Sequence, residues 1–268
     1  EGTCYVAATR YKLGDFQPYL YKTTDYGKSW TKITNGISSE HFTRVVREDP
    51  KKKGLLYAGT ETGMYVSFND GASWSPFQMN LPIVPITDLA IKDDNLIVAT
   101  QGRSLWIIDD LTVLHQLDES KKNQNTILFK PRDSYRTKGR ASKKPSKTSG
   151  QNLENGVITH FLLKNYTEKD SVQLTYTSMA GDTLANYNSS AKKKDKKLAI
   201  KKGGNTFVWD TRGKGAEKLE GMIFWWASFD GAKAVPGNYK VHLNVNGNSS
   251  SETFTILPDP RAESSVAE

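Results

Sequence analysis

"TTDYGKSW" runs from Thr23 to Trp30 and "SFNDGASW" from Ser67 to Trp74, so one chain writes nearly the same eight letters twice, 44 residues apart. A repeat at that spacing is the sign of a protein built from stacked supersecondary units. The residues between the octets fit such a unit. "FTRVVRED", "GLLYAGTET", "GMYVSFND" and "SPFQMN" read as four short strands from Phe42 to Asn80. "ITDLAIKD", "NLIVATQG", "SLWIIDD" and "TVLHQL" repeat the order from Ile86 to Leu117. "TCYVAATRY", "PYLYKTTD" and "TKIT" supply three strands of an opening unit. Four antiparallel strands in about 40 residues describe one blade of a β-propeller.

Each octet falls at the turn between a third and a fourth strand, and its chemistry suits a hairpin tip. Gly27 and Gly71 tolerate positive φ without steric cost. Asp25 accepts hydrogen bonds from the N–H groups of its own turn, and Ser29 or Ser73 does the same more weakly; in the second octet Asn69 stands at the Asp position with Asp70 beside it. Trp30 and Trp74 then fold back and bury a large ring. Every residue has a structural role, which predicts scaffold rather than a reaction centre. In the third unit only Asp109 and Asp110 remain at this place, and a turn role is expected of them.

These octets resemble the Asp-box, Ser/Thr-x-Asp-x-Gly-x-Thr/Ser-Trp, of sialidases, sortilin-type receptor propellers and many secreted repeat proteins. Residues 23–30 match it fully, and 67–74 match except for Asn69 at the Asp position. The resemblance implies that the boxes lie on an outer rim, away from the binding face. Three strands plus two blades fall short of the roughly four blades a closed propeller needs. The expectation is a C-terminal portion of a propeller whose remaining blades lie on another segment of a parent protein.

After Leu117 the pattern changes. Residues 118–153 read as a basic linker in which "ILFKP" docks as a short strand. Strands resume in "GVITHFLLK", "SVQLTYTSM", "DTLANYNS", "KKLAIKKG", "NTFVWDTR", "GMIFWWASFD", "GNYKVHLNVNG" and "SSETFTIL". Seven or eight strands at that spacing predict a β-sandwich over 154–260, with a tail at 261–268. Tyr239, Val241, Leu243 and Val245 are expected to share one face. "NTFVWDTRG…AVPGNYKVHLNVNG" resembles an Ig/fibronectin-type module also seen in flagellar hook-capping proteins. The whole order, from "ATQGRSLWIIDDLTVLHQL" to "DPR", resembles large sortilin-like BNR-repeat proteins of Gram-negative bacteria. That resemblance implies an all-β chain, a partial propeller followed by an Ig-like sandwich, and export to the periplasm or cell surface.

Composition narrows function further. The net charge of +8 resides largely in "RDSYRTKGRASKKPSKTSG", Arg132–Gly150, and "KKKDKK", Lys192–Lys197. These stretches lack interleaved aromatics apart from Tyr135, so they read as solvated loops and no nucleic-acid partner is expected. No apolar run is long enough for a transmembrane helix. The single cysteine, Cys4, permits no internal disulfide, and its strand-like surroundings predict burial. Four scattered histidines make a transition-metal site unexpected, and no cofactor motif is present. The absence of a disulfide framework favours a bacterial exported protein over a eukaryotic receptor.

Propellers generally bind ligands on the face carrying the loops between second and third strands, here Tyr11–Pro18, Glu61–Gly63 and Gln101–Ser104. Candidate contacts are Arg10, Asp15, Glu61, Gln101 and Arg103. Asp15 and Glu61 are the acids from which a glycosidase would have to be built. "FWWASF", Phe224–Phe229, reads as sandwich core, with a sugar-stacking platform as the competing role. Asp170-Ser171-Val172 and Asp182-Thr183-Leu184 resemble a bacterial O-glycan acceptor, which makes Ser171 and Thr183 candidate modification sites. Two functions follow. The first is an exported non-enzymatic binding or assembly protein that contacts protein, glycan or the missing blades. The second is a glycoside hydrolase whose catalytic residues lie mainly on those blades.

Overall fold

The computed structural model describes residues 2–121, 123–137, 150, 152–193, 196–217, 221, 223, 225 and 228–262. Among the named elements of the described residues, all are strands apart from a 3-10 turn at Tyr11–Leu13 and one short helix. It divides into two units, Glu1–Asp118 and Glu119–Glu268.

The first unit holds three antiparallel sheets. The opening sheet has three strands, β1 (Cys4–Arg10), β2 (Asp15–Thr23) and β3 (Thr31–Lys32). The second has four in sequence order: β4 (Thr43–Glu48), β5 (Leu56–Thr60), β6 (Gly63–Ser67) and β7 (Ser75–Pro76). The third has β8 (Ile86–Lys92), β9 (Asn95–Thr100) and β10 (Leu105–Ile108). Strand alternation gives the middle sheet two apolar faces. Leu56, Ala58 and Tyr65 join Leu20, Ile33 and Ile37 of the first sheet's segment in one core. Tyr57, Met64 and Val66 join Ile86, Leu89, Leu96 and Val98 of the third sheet in another. The middle strands β5 and β6 are therefore buried along their whole length.

"TVLHQL", expected as a fourth strand of the third sheet, is instead helix α1 (Thr112–Gln116). The sequence there has no box glycine to reverse the chain. The Asp110 carboxylate accepts hydrogen bonds from Thr112 N at 2.9 Å and Thr112 Oγ1 at 2.6 Å, an Asx turn that leads into the helix. The other end is fixed to the second sheet. Lys52 Nζ donates to the carbonyls of Leu114 and Leu117. His115 Nε2 meets the buried Asp49 carboxylate at 2.8 Å, and Leu111 is wholly buried.

Two expected burials fail in the first sheet. Cys4 is exposed, and Trp30 is 45% exposed against 4% for Trp74. Trp74 has a sheet in front of it to bury against, and Trp30 has none among the described residues. Its indole instead bonds its own turn, Nε1 to Gly27 O at 3.1 Å.

The second unit is a pair of sheets around one core. The smaller is ordered β11 (Thr126–Leu128), β13 (Val157–Leu163), β16 (Gly203–Trp209). The larger is ordered β12 (Ser134–Arg136), β18 (Asn248–Pro258), β17 (Gly237–Val245), β14 (Val172–Ser178), β15 (Thr183–Asn188). The stretch read as linker thus contributes β11 to one sheet and β12, running parallel to β18, to the other. Trp209 stacks on Tyr176 with ring centroids 4.5 Å apart at the centre of the core, and Phe161 and Phe254 are also fully buried. Tyr239, Val241 and Leu243 are buried on one face of β17, with Val245 packed at its margin. "KKLAIKKG" forms no strand; it makes an isolated bridge, Lys197 to Asn188, beside the buried Leu198.

The described residues of "GMIFWWASFD" form no strand and are not core. Trp225 is 85% exposed and Ile223 more so, while Met222, Phe224, Trp226 and Ala227 lie outside the described residues. Among the described residues the chain beside it pairs through the bonds Gly213 N to Ala232 O, Ala216 N to Phe229 O and Ala234 N to Thr211 O, with one bridge, Arg212 to Lys233. Much of the basic stretch 132–150, residues 138–149, also lies outside the described residues, as do 194, 195 and the tail from 263.

The two octet tryptophans should separate in stability. Trp74→Ala is expected to cost about 3–5 kcal/mol, as for a buried aromatic, and Trp30→Ala about 1 kcal/mol. Urea unfolding of the two variants beside the parent measures both, and equal losses would contradict the difference in burial.

Candidate functional site

The two octets form closed hydrogen-bonded turns. In the first, Asp25 Oδ1 accepts from Ser29 N at 2.9 Å and Thr23 Oγ1 at 2.7 Å, and Oδ2 accepts from Ser29 Oγ at 2.6 Å. Thr23 Oγ1 in turn accepts Gly27 N at 3.0 Å. These bonds, led by that from Ser29 Oγ, lower the Asp25 carboxyl to about 2. In the second turn Asn69 Oδ1 accepts from Ser73 N and Ser67 Oγ, both at 2.9 Å, while its Nδ2 donates to Ser73 Oγ. The amide reproduces the carboxylate's geometry with one bond reversed in direction. Gly71 N is held by Ser67 Oγ at 2.9 Å.

Asp70 does separate work. It takes the left-handed backbone conformation at φ 60°, as does Tyr26 at the same place in the first octet. Its carboxylate accepts from Tyr5 Oη and Lys22 Nζ, both on the first sheet. Burial pulls this carboxyl upward, but those two donors outweigh it and hold it below the usual range. Burial, and then the Asp70 carboxylate, push the Tyr5 phenol strongly up.

Two open clefts of similar volume mark the first unit. One, about 460 Å³, lies between the octets, walled by Thr23, Ser29, Asn69 and Asp70 among others. The side-chain polar atoms of those four residues are taken up by Asp25, Ser67, Ser73, Tyr5 and Lys22, so it is a seam of the scaffold. The other, about 450 Å³, lies on the strand-connecting loops and is lined by Thr9, Arg10, Tyr11, Lys12, Leu13, Arg44 and Thr87. Three of its seven side chains are basic, and this is the candidate site.

The loop at Tyr11 is shorter than expected, because β2 begins at Asp15. Asp15 is therefore a strand residue at the mouth of the hairpin. Its Oδ2 accepts Tyr19 Oη at 2.6 Å, its Oδ1 accepts Gln17 N at 3.1 Å, and Arg10 stands 3.3 Å away. The Tyr19 bond, followed by the backbone bond, moves the carboxyl below its ordinary value. Glu61 is paired with Arg44 at 2.6 Å. Arg44 also lies over the rings of Tyr11 and Phe42, which stack with centroids 5.1 Å apart. The structure thus draws Arg10, Asp15 and Glu61 to the margin of one basic cleft, each acid on its own arginine.

Gln101 and Arg103 do not line that cleft. They belong to the β9–β10 turn, where Arg103 bonds Gly102 O and its own carbonyl receives Trp106 Nε1. Sequence reasoning missed Arg44, Lys12 and Tyr11. Arg44 sits one residue into a strand, where only the three-dimensional stacking of sheets brings it beside Arg10. In the second unit Ser171 and Thr183 are both exposed. The Asp170 carboxylate beside Ser171 is occupied by Asn246 Nδ2 and by Thr167. No cluster of three or more His, Cys, Asp or Glu side chains suited to a metal ion occurs among the described residues.

No protein-family model and no curated protein matches the chain. Among solved structures the chain is similar to the extracellular domain of BT4673 from B. thetaiotaomicron, described as a proposed one-component system. The identity is 12% and the TM-score 0.29, over 90% of this chain and 29% of that one. A second structure of that domain, described as belonging to a hybrid two-component system, gives 10% identity and a TM-score of 0.29 over the same shares. The chain therefore spans under a third of the length of the proteins it matches, and an overlap at this TM-score carries no argument about ligand or mechanism.

The Asp25–Asn69 pair yields a pH prediction. A carboxyl lowered on folding contributes stability in full above the unfolded value near ~4 and loses it as pH falls toward the folded value. The contribution of Asp25 should fade as pH falls from that unfolded value to about 2. Asp25→Asn, which rebuilds the second octet's chemistry in the first, should fold and lack this step. Melting temperatures of parent and variant compared from pH 6 down to pH 2 test it, and parallel curves would show that the carboxylate bonds contribute nothing.

Proposed function

We propose that the protein is an exported, non-enzymatic binding or assembly protein that receives a carboxylate- or sulfate-bearing glycan in the cleft of Arg10, Lys12 and Arg44. The observation that supports this most is the state of Asp15. A glycosidase acid must hold a proton near neutral pH and so needs a raised pKa. Asp15 is shifted the other way by Tyr19 and Gln17. Glu61 is committed to Arg44 at 2.6 Å. The acids position the arginines, and the arginines with Lys12 give the cleft its positive face. Tyr11, part-exposed and stacked on Phe42, supplies an aromatic surface of the kind sugars lie against. Guanidinium groups bind carboxylate and sulfate oxygens with paired, directed hydrogen bonds.

Export is supported by the Asp-box resemblance and by the exposure of Ser171 and Thr183, the two acceptor-like positions. Intact mass of protein from its native host is expected to show added hexose at these sites. An unmodified mass would remove that support, and recovery of the protein from the cytosol would overturn export.

Calorimetry with matched neutral and acidic oligosaccharides tests the ligand. Acidic sugars should bind at low salt, and Arg44→Ala should weaken them about tenfold or more, the scale of one charged hydrogen-bonding partner. The binding should fall as salt rises. Equal binding of neutral sugars would refute the ligand class. Release of reducing ends, abolished by Asp15→Asn, would establish the hydrolase instead.

A further inference from the structure

The seat of the second sheet on the first is an internal template. Toward the first sheet the second presents Leu56, Ala58, Tyr65 and Trp74, all buried. Trp74 Nε1 donates to Ile33 O at 2.7 Å, and Trp74 N to Asn35 O at 2.8 Å. The fit is close. A Cβ on Gly71 would stand 2.6 Å from Ile33, and one on Gly36 would stand 2.3 Å from the Trp74 carbonyl. The second octet is therefore shaped to a partner loop at 33–36.

Strand pairing carries the template back to the first sheet. Leu56 pairs with Ser67, the first residue of the second octet, and Cys4 pairs with Thr23, the first residue of the first. Ala58 pairs with Tyr65, and Val6 with Tyr21. Cys4, Val6, Tyr21 and Trp30 are thus the repeats of Leu56, Ala58, Tyr65 and Trp74. The second set is buried, whereas Cys4 is exposed, Val6 and Trp30 are 39% and 45% exposed, and Tyr21 is half-buried. A Cβ on Gly27 would meet nothing but Trp30 itself. β1 is also an edge, whereas β5 has β4 alongside it.

We propose that Cys4, Val6, Tyr21 and Trp30 form the docking face for a further complete four-stranded blade, on polypeptide other than these residues, with a return loop that gives Trp30 what 33–36 gives Trp74. The occupant is identified by continuity with the interface already built. A second copy of this chain does not fit. The outward face of its second sheet is covered by the third. Its third sheet does expose Leu105 and Ile107, but it carries α1 where the return strand and its loop should be.

Cys4 is the chain's single cysteine and stands on this face, so its thiol reports occupancy. The test adds a blade in cis. A second copy of residues 37–76 followed by one of 33–53, so that the loop 33–36 faces Trp30, is fused ahead of Gly2, which is the repeat of Gly54. Reaction of Cys4 with Ellman's reagent should slow by about tenfold or more, as for a thiol reached only through opening of a packed interface. The fluorescence component lost in Trp30→Phe should shift to the blue. A folded fusion in which Cys4 reacts as fast as in the parent would overturn the proposal.

Two further measurements stand if the fusion does not fold. Sedimentation of the purified chain should show a monomer with a reactive Cys4; a dimer with a protected Cys4 assigns the face to a second copy and overturns the proposal. In native extract, maleimide should label Cys4 only after urea is added, and equal labelling without urea also overturns it.

Discussion

The first unit depends on one tryptophan bonded to its neighbour's backbone. Trp74 reaches across from the turn of the second sheet to the Ile33 carbonyl, and its ring closes the core that both sheets share. A buried indole needs an acceptor for its N–H as well as an apolar bed. The first sheet supplies both within four residues, at a place that only glycine at 36 and at 71 leaves open. The octet turn holds the tryptophan at this angle, the Asp70 bonds to Tyr5 and Lys22 lock the same seam from the other side, and burial of β5 and β6 follows.

This explains what could be read from the amino-acid order and what could not. The turn is local: Thr23, Asp25, Gly27 and Ser29 satisfy one another within seven residues, so their spacing reports the structure directly. The strands flanking it follow from alternation. Whether Trp30 is buried depends on a neighbour the octet does not encode, and the same is true of Cys4. The helix at Thr112 was hidden for a different reason. Its anchors, Asp49 and Lys52, lie more than sixty residues earlier in the chain, and "TVLHQ" alone has strand character as good as its helix character.

The candidate cleft shows the same division. Arg10 and Asp15 were legible because a hairpin mouth places them side by side. Arg44 belongs to a different sheet, and its approach to Tyr11 is a property of stacking. In the second unit the core strands were legible from alternation, as in β17, while the Phe224–Phe229 run, half of which lies outside the described residues, exposes Trp225 rather than burying it. Tryptophan content is no guide to burial without a pattern that gives the rings a side: Trp209 is wholly buried and Trp225 almost wholly exposed.

The helix α1 also decides how the first unit bears mechanical load. β10 is the edge strand of its sheet. Tension arriving from beyond residue 117 on an unanchored edge strand would unzip it from β9 one residue pair at a time, the weakest mode of resisting force. Here the pull meets Lys52 on the carbonyls of Leu114 and Leu117, and Asp49 on His115, before it reaches β10. Both anchors sit in the segment between β4 and β5. The force is passed to the middle sheet and spread across several contacts at once, and the third sheet is spared.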